Sequence, residues 1–553
     1  MQIKSILSVG DTIGTATLAG IPDGLAAFDN GDGSFTLLMN HAISSSSGAL
    51  RAHGGKGAFV ISWIVNKADL SVGGGSDLIR NVYTWNSASQ ASSSSPNNSA
   101  NGNALTLNRL SSADLAPVSA FCNPASGLGS QARIVLNGEE SGSMGYALAN
   151  LASGPNKGDS YILGKFNLSS NGSGLSGVGG WENLLANPLV QDKTVVIGNN
   201  DGGTGLMTGS LVVYQGSKTA SGSEVDKAGL MNGAIQFVAV NGFNDSNGSS
   251  VDEISNTTTQ ATAIASGTRF SLSANAATTF SRPADGAWDP NNPNHDYFVT
   301  TNRLDTASDG LGSQIGQTRL WRLNFDDIRN PDLGGSIDLL IDGDIVNGQK
   351  VNMFDTIAMD RFGYILLQED VGNAARNAKV WQYDIATDSL KQLGTFDPAR
   401  FGDVGLAATA PFTIDEDSSG SIDAQDLLGP GWFLFDAQAH YGIADPKQVE
   451  GGQLLALFNP DTYLAAIDYV NTPQAITFNP GETSKIVSVP ILADGKDEPH
   501  ETFVATLINP SSGGVIGSAQ ASAQLTIIDQ PLYTREQPPF RTSTLVPPLG
   551  GMP

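Results

Sequence analysis

Two patterns in the sequence place oxygen ligands where they could converge on a cation. The first is Asp415-Glu-Asp-Ser-Ser-Gly-Ser-Ile-Asp-Ala-Gln-Asp426, with oxygen donors at positions one, three, five, seven and nine, Gly420 at six and a carboxylate at twelve. This spacing matches a calcium loop of EF-hand type, in which a short segment turns sharply at its glycine around a hard cation. Asp415, Asp417, Ser419, Ser421, Asp423 and Asp426 are its expected ligands, although Asp426 stands where such loops carry Glu and no helix pair flanks it. The expected role is structural, and an acidic, serine-rich surface loop without metal is the alternative.

The second pattern is a set of six apolar runs that each stop at Asn, Asp, Glu or His: residues 35–41, 134–140, 195–201, 297–302, 364–370 and 433–440. Most follow a turn rich in Asp, Asn and Gly, and most are followed by another strand-like run, such as 58–65, 211–214, 319–323, 379–383 and 454–457. Six such units predict an all-β chain folded as a six-bladed β-propeller with long insertions, each blade a small meander with one strand facing a central channel. The polar ends of the runs would then gather at one channel mouth, bringing Asn40, His41, Glu139, Glu140, Asp201, Asn302, Glu369, Asp370 and His440 around one cavity. A β-sandwich is the competing architecture.

Beyond this array, residues 460–529 alternate polar and apolar positions over several short runs, as a small C-terminal antiparallel β-sandwich-like module would. The expected organisation is therefore a propeller at 1–459, the module at 460–529, and a Pro-rich extended tail at 530–553, with a polar low-complexity surface loop at 87–103.

Composition narrows the function classes. The chain has 553 residues and a formal net charge of −25, so it lacks the cations that a nucleic-acid surface or an anionic membrane would require. No apolar run is long enough to span a membrane, so no membrane insertion is expected. A single cysteine, Cys122, leaves no intrachain disulfide framework. Few lysines and many acids fit an extracellular or cell-surface protein of a microbe, cross-linked by bound Ca2+ rather than by disulfides. The first ten residues lack an export signal, so export would use another route or a leader absent from this chain.

The motifs of serine-hydrolase elbows, zinc helices and phosphate-binding loops are missing, and five scattered histidines do not suggest a zinc triad. Catalysis, if present, must rest on carboxylates and metal. Asp23-Gly-Leu-Ala-Ala-Phe28 leading to Leu38-Met-Asn-His41 and Arg51-Ala-His-Gly54 resembles the opening of PhoX-type alkaline phosphatases. Asn137-Gly-Glu-Glu140, Arg282-Pro-Ala-Asp-Gly286 with Tyr297-Phe-Val-Thr-Thr301, Phe354-Asp355, Ile365-Leu-Leu-Gln-Glu-Asp370 and Gln438-Ala-His440 extend the resemblance over roughly residues 5–460.

This resemblance implies a channel-mouth site holding Ca2+ and Fe3+ that hydrolyses a phosphate-ester substrate. It makes Cys122 an iron ligand, and makes Glu139, Glu140, Asp285, Asp355, Glu369 and Asp370 cation ligands. Arg282 would bind the phosphoryl oxygens, where a planar bidentate donor suits them. Cys122 as a buried apolar thiol is the alternative for that residue, and structural calcium ligation is the alternative for Glu139-Glu140 and Glu369-Asp370. His41 and His440 are expected as hydrogen-bonding partners near the channel. Two departures weigh against catalysis: Ala42 replaces a Glu, and the Glu of the Arg-Pro-Glu-Gly segment becomes Ala284-Asp285, one position late.

Residues 460–529 resemble the second half of the Calx-β family in Ile476-Thr-Phe-Asn-Pro-Gly-Glu482, Pro490-Ile-Leu-Ala-Asp494 and Asp497-Glu-Pro-His-Glu501. Asp494, Asp497 and Glu498 are weak calcium candidates. The first strands of such a domain are missing, which leaves an unpaired edge. Strand complementation through 460–553 would make a homo-oligomer or a head-to-tail filament, and a half-sandwich packed on its own propeller is the alternative. Two functions lead, a secreted, calcium-dependent phosphatase-like enzyme or a catalytically silent extracellular assembly or adhesion protein, and a non-hydrolytic binder of sugar or phosphate is the third.

Overall fold

A computed structural model describes the chain except residues 142–144, 167–179, 202–208, 244–253, 257–260, 263, 302–317, 344–350, 373–375, 466–473, 492–500, 508–509, 511–521, 528–541 and 545–553. Asn302, Asp494, Asp497 and Glu498 lie outside the described residues. The contacts divide the chain into Met1–Phe458 and Asn459–Pro553.

Met1–Phe458 is a six-bladed β-propeller. The inner strands of its blades are Pro22–Asp29, Leu110–Asp114, Trp181–Ala186, Pro283–Trp288, Phe354–Met359 and Asp417–Asp423. Each lies against the next, and the sixth returns to the first, which closes the ring around a channel. The sixth blade has only three consecutive strands of its own; the N-terminal strand Gln2–Ser8 completes it by antiparallel pairing with Glu450–Phe458. Thr268–Ser273 bridges the outer strands of blades 3 and 4, so these two blades form one nine-stranded sheet.

The six apolar runs read from the sequence are the second strands of the blades: Ser34–His41, Ile134–Glu139, Lys193–Asn200, His295–Thr300, Tyr364–Glu369 and Trp432–Gly442. They are apolar throughout because both of their faces are buried. In blade 3, Val196 packs toward blade 2, whereas Val195 and Ile197 pack toward blade 4. In blade 5, Leu366 packs toward blade 6 while Ile365 and Leu367 pack toward blade 4. The channel-facing strands are the ones that precede these runs.

Every inner strand carries an irregularity of register against its second strand: between Pro22 and Leu25, Leu110 and Ala113, Trp181 and Asn183, Pro283 and Gly286, Phe354 and Thr356, and Ser419 and Ile422. Such bulges re-aim side chains. In five blades they fall near the start of the inner strand, beside the polar end of the second strand.

In Asn459–Pro553 the described strands form two antiparallel pairs: Glu501–Thr506 with Ser522–Ile527, and Ser488–Pro490 with Thr542–Thr544. Thr542–Thr544, within the expected Pro-rich extended tail, is the partner in the second of these pairs. No helix among the described residues is long and apolar enough to cross a membrane.

Candidate functional site

The inner-strand bulges and the ends of the second strands meet at one channel mouth, around a cavity of about 420 Å³. Most of its carboxylates come from two positions in the blades. Asp23, Glu182 and Asp355 are each the second residue of an inner strand, and Asp417 opens the inner strand of blade 6. Glu140 and Asp370 each follow the last residue of a second strand. Arg109, Arg282, His440 and Glu450 also line the cavity.

Ligand oxygens of Glu140, Glu182 and Asp201 lie within 4.8 Å of one another. Arg282 is drawn into this group: its Nε donates to Asp201 Oδ2 at 2.8 Å, its Nη2 lies 2.7 Å from the same oxygen, and Nη2 donates to Glu140 Oε1 at 3.3 Å. Glu182 Oε1 accepts from Ser112 Oγ at 3.1 Å. Across the mouth, His440 stands between Asp417 Oδ2 at 3.2 Å and Glu450 Oε1 at 3.1 Å.

Burial and mutual repulsion dominate the electrostatics. Burial, reinforced by Asp355, Glu140, Asp23 and Asp201, holds the Glu182 carboxyl well above its ordinary range. Asp355 is likewise raised by burial and by Asp370, against the pull of Arg282. Burial lifts Asp23 and Asp417 to about 7, although Ser419 and His440 respectively favour their charged forms. Burial alone would lower His440, but Asp417 and Glu450 outweigh it and raise the imidazole to about 11. Acids crowded this closely must keep protons or gain cations. Asp417 Oδ1 is buried without a hydrogen-bond partner. Oxygen donors in this number suit hard cations such as calcium or magnesium.

Of the acids expected from the sequence, Glu140, Asp355 and Asp370 line the cavity with Arg282, and Asp201 and His440 also reach the mouth. Three others turn away from it. Glu139 accepts from the backbone N–H groups of Asn108 and Tyr146 and braces a loop. Glu369 pairs with Arg376 at 2.7 Å and also accepts from Asn352 N, Lys379 N and Trp381 Nε1. Asp285 accepts from Asn183 Nδ2, Gly286 N and Ile357 N, tying blades 3, 4 and 5 together. The one-position displacement in blade 4 explains Asp285: Ala284 takes the neighbouring position, packed into the apolar layer between blades 4 and 5. Ala42 lines the cavity and adds no ligand there.

The expected calcium loop is corrected. Asp417–Asp423 is an inner strand, paired with the second strand of blade 6. An extended segment of this length covers about 20 Å, so its donors cannot converge on one ion. Ser419 Oγ donates to Asp23 Oδ1, Asp423 accepts from Gln425 N, and Asp426 pairs at the surface with Arg361. Asp415 is half-buried and Ser421 buried, outside the cavity lining. Only Asp417 of that set faces the mouth.

Cys122 is also corrected as a ligand of the channel site. It lies buried in a two-residue pairing with Leu128–Gly129, with Lys218 as its charged neighbour. Lys218 Nζ is held by the carbonyls of Gln191 and Lys193, where the second strand of blade 3 begins. The mouth lies at that strand's other end, more than about 20 Å away. Asn40 and His41 are buried within the blades: Asn40 bonds the Ser111 carbonyl, and His41 stacks on Phe59 and bonds the Gly20 carbonyl. Glu182 was not foreseen; its signal was the position of an acid one residue into an inner strand.

Comparison with known proteins supports this fold. Residues 461–531 match the family model described as the Calx-beta domain. The propeller is similar to Pseudomonas fluorescens PhoX in complex with vanadate, a transition state analogue, at 11% identity and a TM-score of 0.52, covering 83% of this chain and 95% of that one. It is less similar to the Fusarium graminearum α-L-arabinofuranosidase Arb93A, at 9% identity and a TM-score of 0.37, covering 80% and 94% of the two chains. No curated protein matches the chain in sequence.

Proposed function

We propose that the protein is a cation-dependent hydrolase of phosphate esters, acting at the mouth of its propeller channel outside a microbial cell. One observation carries the reading: seven carboxylates from blades 1, 2, 3, 5 and 6 converge with Arg282 and Arg109 on one cavity. The similarity of the propeller to a phosphatase crystallised with a transition-state analogue is consistent with it.

In this reading Glu140, Glu182, Asp201, Asp355 and Asp370 hold hard divalent cations. When bound, such cations neutralise charge on the phosphoryl group being transferred. Arg282 orients a phosphoryl oxygen, and Asp201 and Glu140 fix its guanidinium so that no reorganisation is needed on binding. His440, kept charged by Asp417 and Glu450, adds a positive group on the opposite side. A thiolate-ligated ferric ion has no place here, because Cys122 lies at the far end of blade 3.

The test is hydrolysis of p-nitrophenyl phosphate and bis(p-nitrophenyl) phosphate by chelator-stripped protein, before and after return of calcium, magnesium or manganese. Turnover restored by a cation supports the reading. Absence of turnover with every cation refutes it.

A second reading, an extracellular assembly protein, is favoured by the module. Phe478, Ile486, Val504 and Leu507 are exposed there, and a three-residue strand near the C-terminus completes one edge. An identical strand from another copy could take that place by exchange, at little cost. Sedimentation of the full chain against a truncation lacking 530–553 decides this: a large assembly that the truncation abolishes supports exchange, and a monomer in both excludes it.

A further inference from the structure

Behind the mouth, in the seam where blade 6 meets blade 1, one carboxylate takes no part in the site above. Asp436 lies in the second strand of blade 6 opposite Ser419 and is 0% exposed. Neither of its oxygens has a hydrogen-bond partner, and it does not line the mouth cavity.

The backbone opposite is shaped around it. Gly420 sits in the bulge of the inner strand with φ +62°, and a Cβ there would fall 2.5 Å from Asp436 Oδ2 and 2.8 Å from the Asp23 carbonyl oxygen. Both oxygens therefore stand close against Gly420, beside Leu25 Cγ at 2.9 Å, where any side chain would collide. Asp417 Oδ1, from the same inner strand, is also buried and unpartnered, and Asp23 and Asp417 are the charged neighbours of Asp436. The nearby cation His440 is already engaged by Asp417 Oδ2 and Glu450. A carboxylate facing a carbonyl oxygen in a closed seam is unfavourable unless a positive charge joins them. The donors are carboxylate and carbonyl oxygens, the set that calcium takes.

We propose that a calcium ion occupies this seam, held by Asp436, the Asp23 carbonyl and Asp417 Oδ1, and staples the last blade to the first. The ring is closed at this blade by non-covalent pairing of the N-terminal strand, so an ion here would reinforce the closure. The inference stands whether or not the mouth hydrolyses phosphate esters.

The test compares full-length wild type with Asp436→Asn, each stripped with EGTA and re-equilibrated with calcium. Calcium per chain and the melting temperature are then measured. The expected result is the loss of one calcium per chain in the variant, with a smaller calcium-dependent rise in Tm. Equal calcium content and an equal or higher Tm in the variant would overturn the proposal and make Asp436 an un-ionised acid. Should the variant not fold, anomalous scattering from wild-type crystals grown in calcium decides: a peak beside Asp436 supports the ion, and none excludes it.

Discussion

Arg282 Nε donates to Asp201 Oδ2 at 2.8 Å, its Nη2 lies 2.7 Å from the same oxygen as an ion pair, and Asp201 is fully buried. Arg282 also holds a left-handed backbone at φ +56°, a conformation that costs about 1 kcal/mol or more outside glycine and that concentrates at functional sites. Packing, charge and backbone together hold this guanidinium at the cavity.

Replacing Arg282 by Lys keeps the charge but removes the planar fork. Turnover of a phosphate ester should fall on the order of 100-fold, the loss seen when one aimed donor to a developing oxyanion is removed. The Tm in calcium should change little. Unchanged kcat/KM would remove Arg282 from the chemistry.

The two acids that end the second strand of blade 5 divide their work. Glu369 is enclosed with Arg376 inside the blade, whereas Asp370 faces the mouth. Glu369→Gln should therefore destabilise the fold, by about 3–5 kcal/mol if Arg376 is left buried and unpaired. Asp370→Asn should keep the Tm of the chelated protein and weaken the cation dependence of turnover. Denaturant melts and cation titrations of both variants check the division, and the opposite pattern would contradict it.

Cys122→Ser should leave activity and metal content unchanged. Its expected effect is a modest loss of stability, about 1 kcal/mol, from burying a hydroxyl where a small apolar thiol packs. Loss of a metal on this substitution would contradict the placement of Cys122 at the far end of blade 3.

Two acids away from the cavity, the buried Asp285 and the half-buried Asp114, set a pH dependence. Burial, with a smaller push from Asp285, raises Asp114 from 3.8 to about 7, despite the hydrogen bond from Ala186 N. Burial raises Asp285 from 3.8 to about 6, despite three hydrogen bonds. The folded state thus binds these protons more tightly than the unfolded chain, and stability falls with pH wherever that is so. Their contribution is full below about 4 and is lost as pH rises through 6 to 7. The Tm of chelated protein should fall over that window, and Asp114→Asn should flatten part of the fall. A Tm that rises with pH across the window would contradict the assignment.

The blade count was legible because a second strand buried on both faces must be apolar throughout, and six such runs stand out. Their acidic ends were legible for the same reason: Glu140, Asp201 and Asp370 break the apolar run where the strand emerges. The inner strands were less visible, since a strand facing a channel mixes small, polar and apolar residues. Asp417–Asp423 shows the cost of that ambiguity. Oxygen donors at alternate positions describe a calcium loop and also one face of a strand, and Gly420 serves a bulge in the strand rather than the turn of a loop. Neither Glu139 nor Glu369 could be told from its neighbour in sequence, because alternation decides which acid turns inward only once the strand's end is known. Cys122 rested on resemblance alone, and no local pattern fixed its place.

The most direct test of the cation-dependent site is phosphate-ester hydrolysis by protein stripped of metal and then titrated with calcium, magnesium and manganese, with bound metal counted in parallel. Activity should be absent after chelation and return as cations fill the mouth, with Asp370→Asn shifting the titration to higher concentration. Metal binding without hydrolysis under any cation, or hydrolysis that survives chelation, would contradict it.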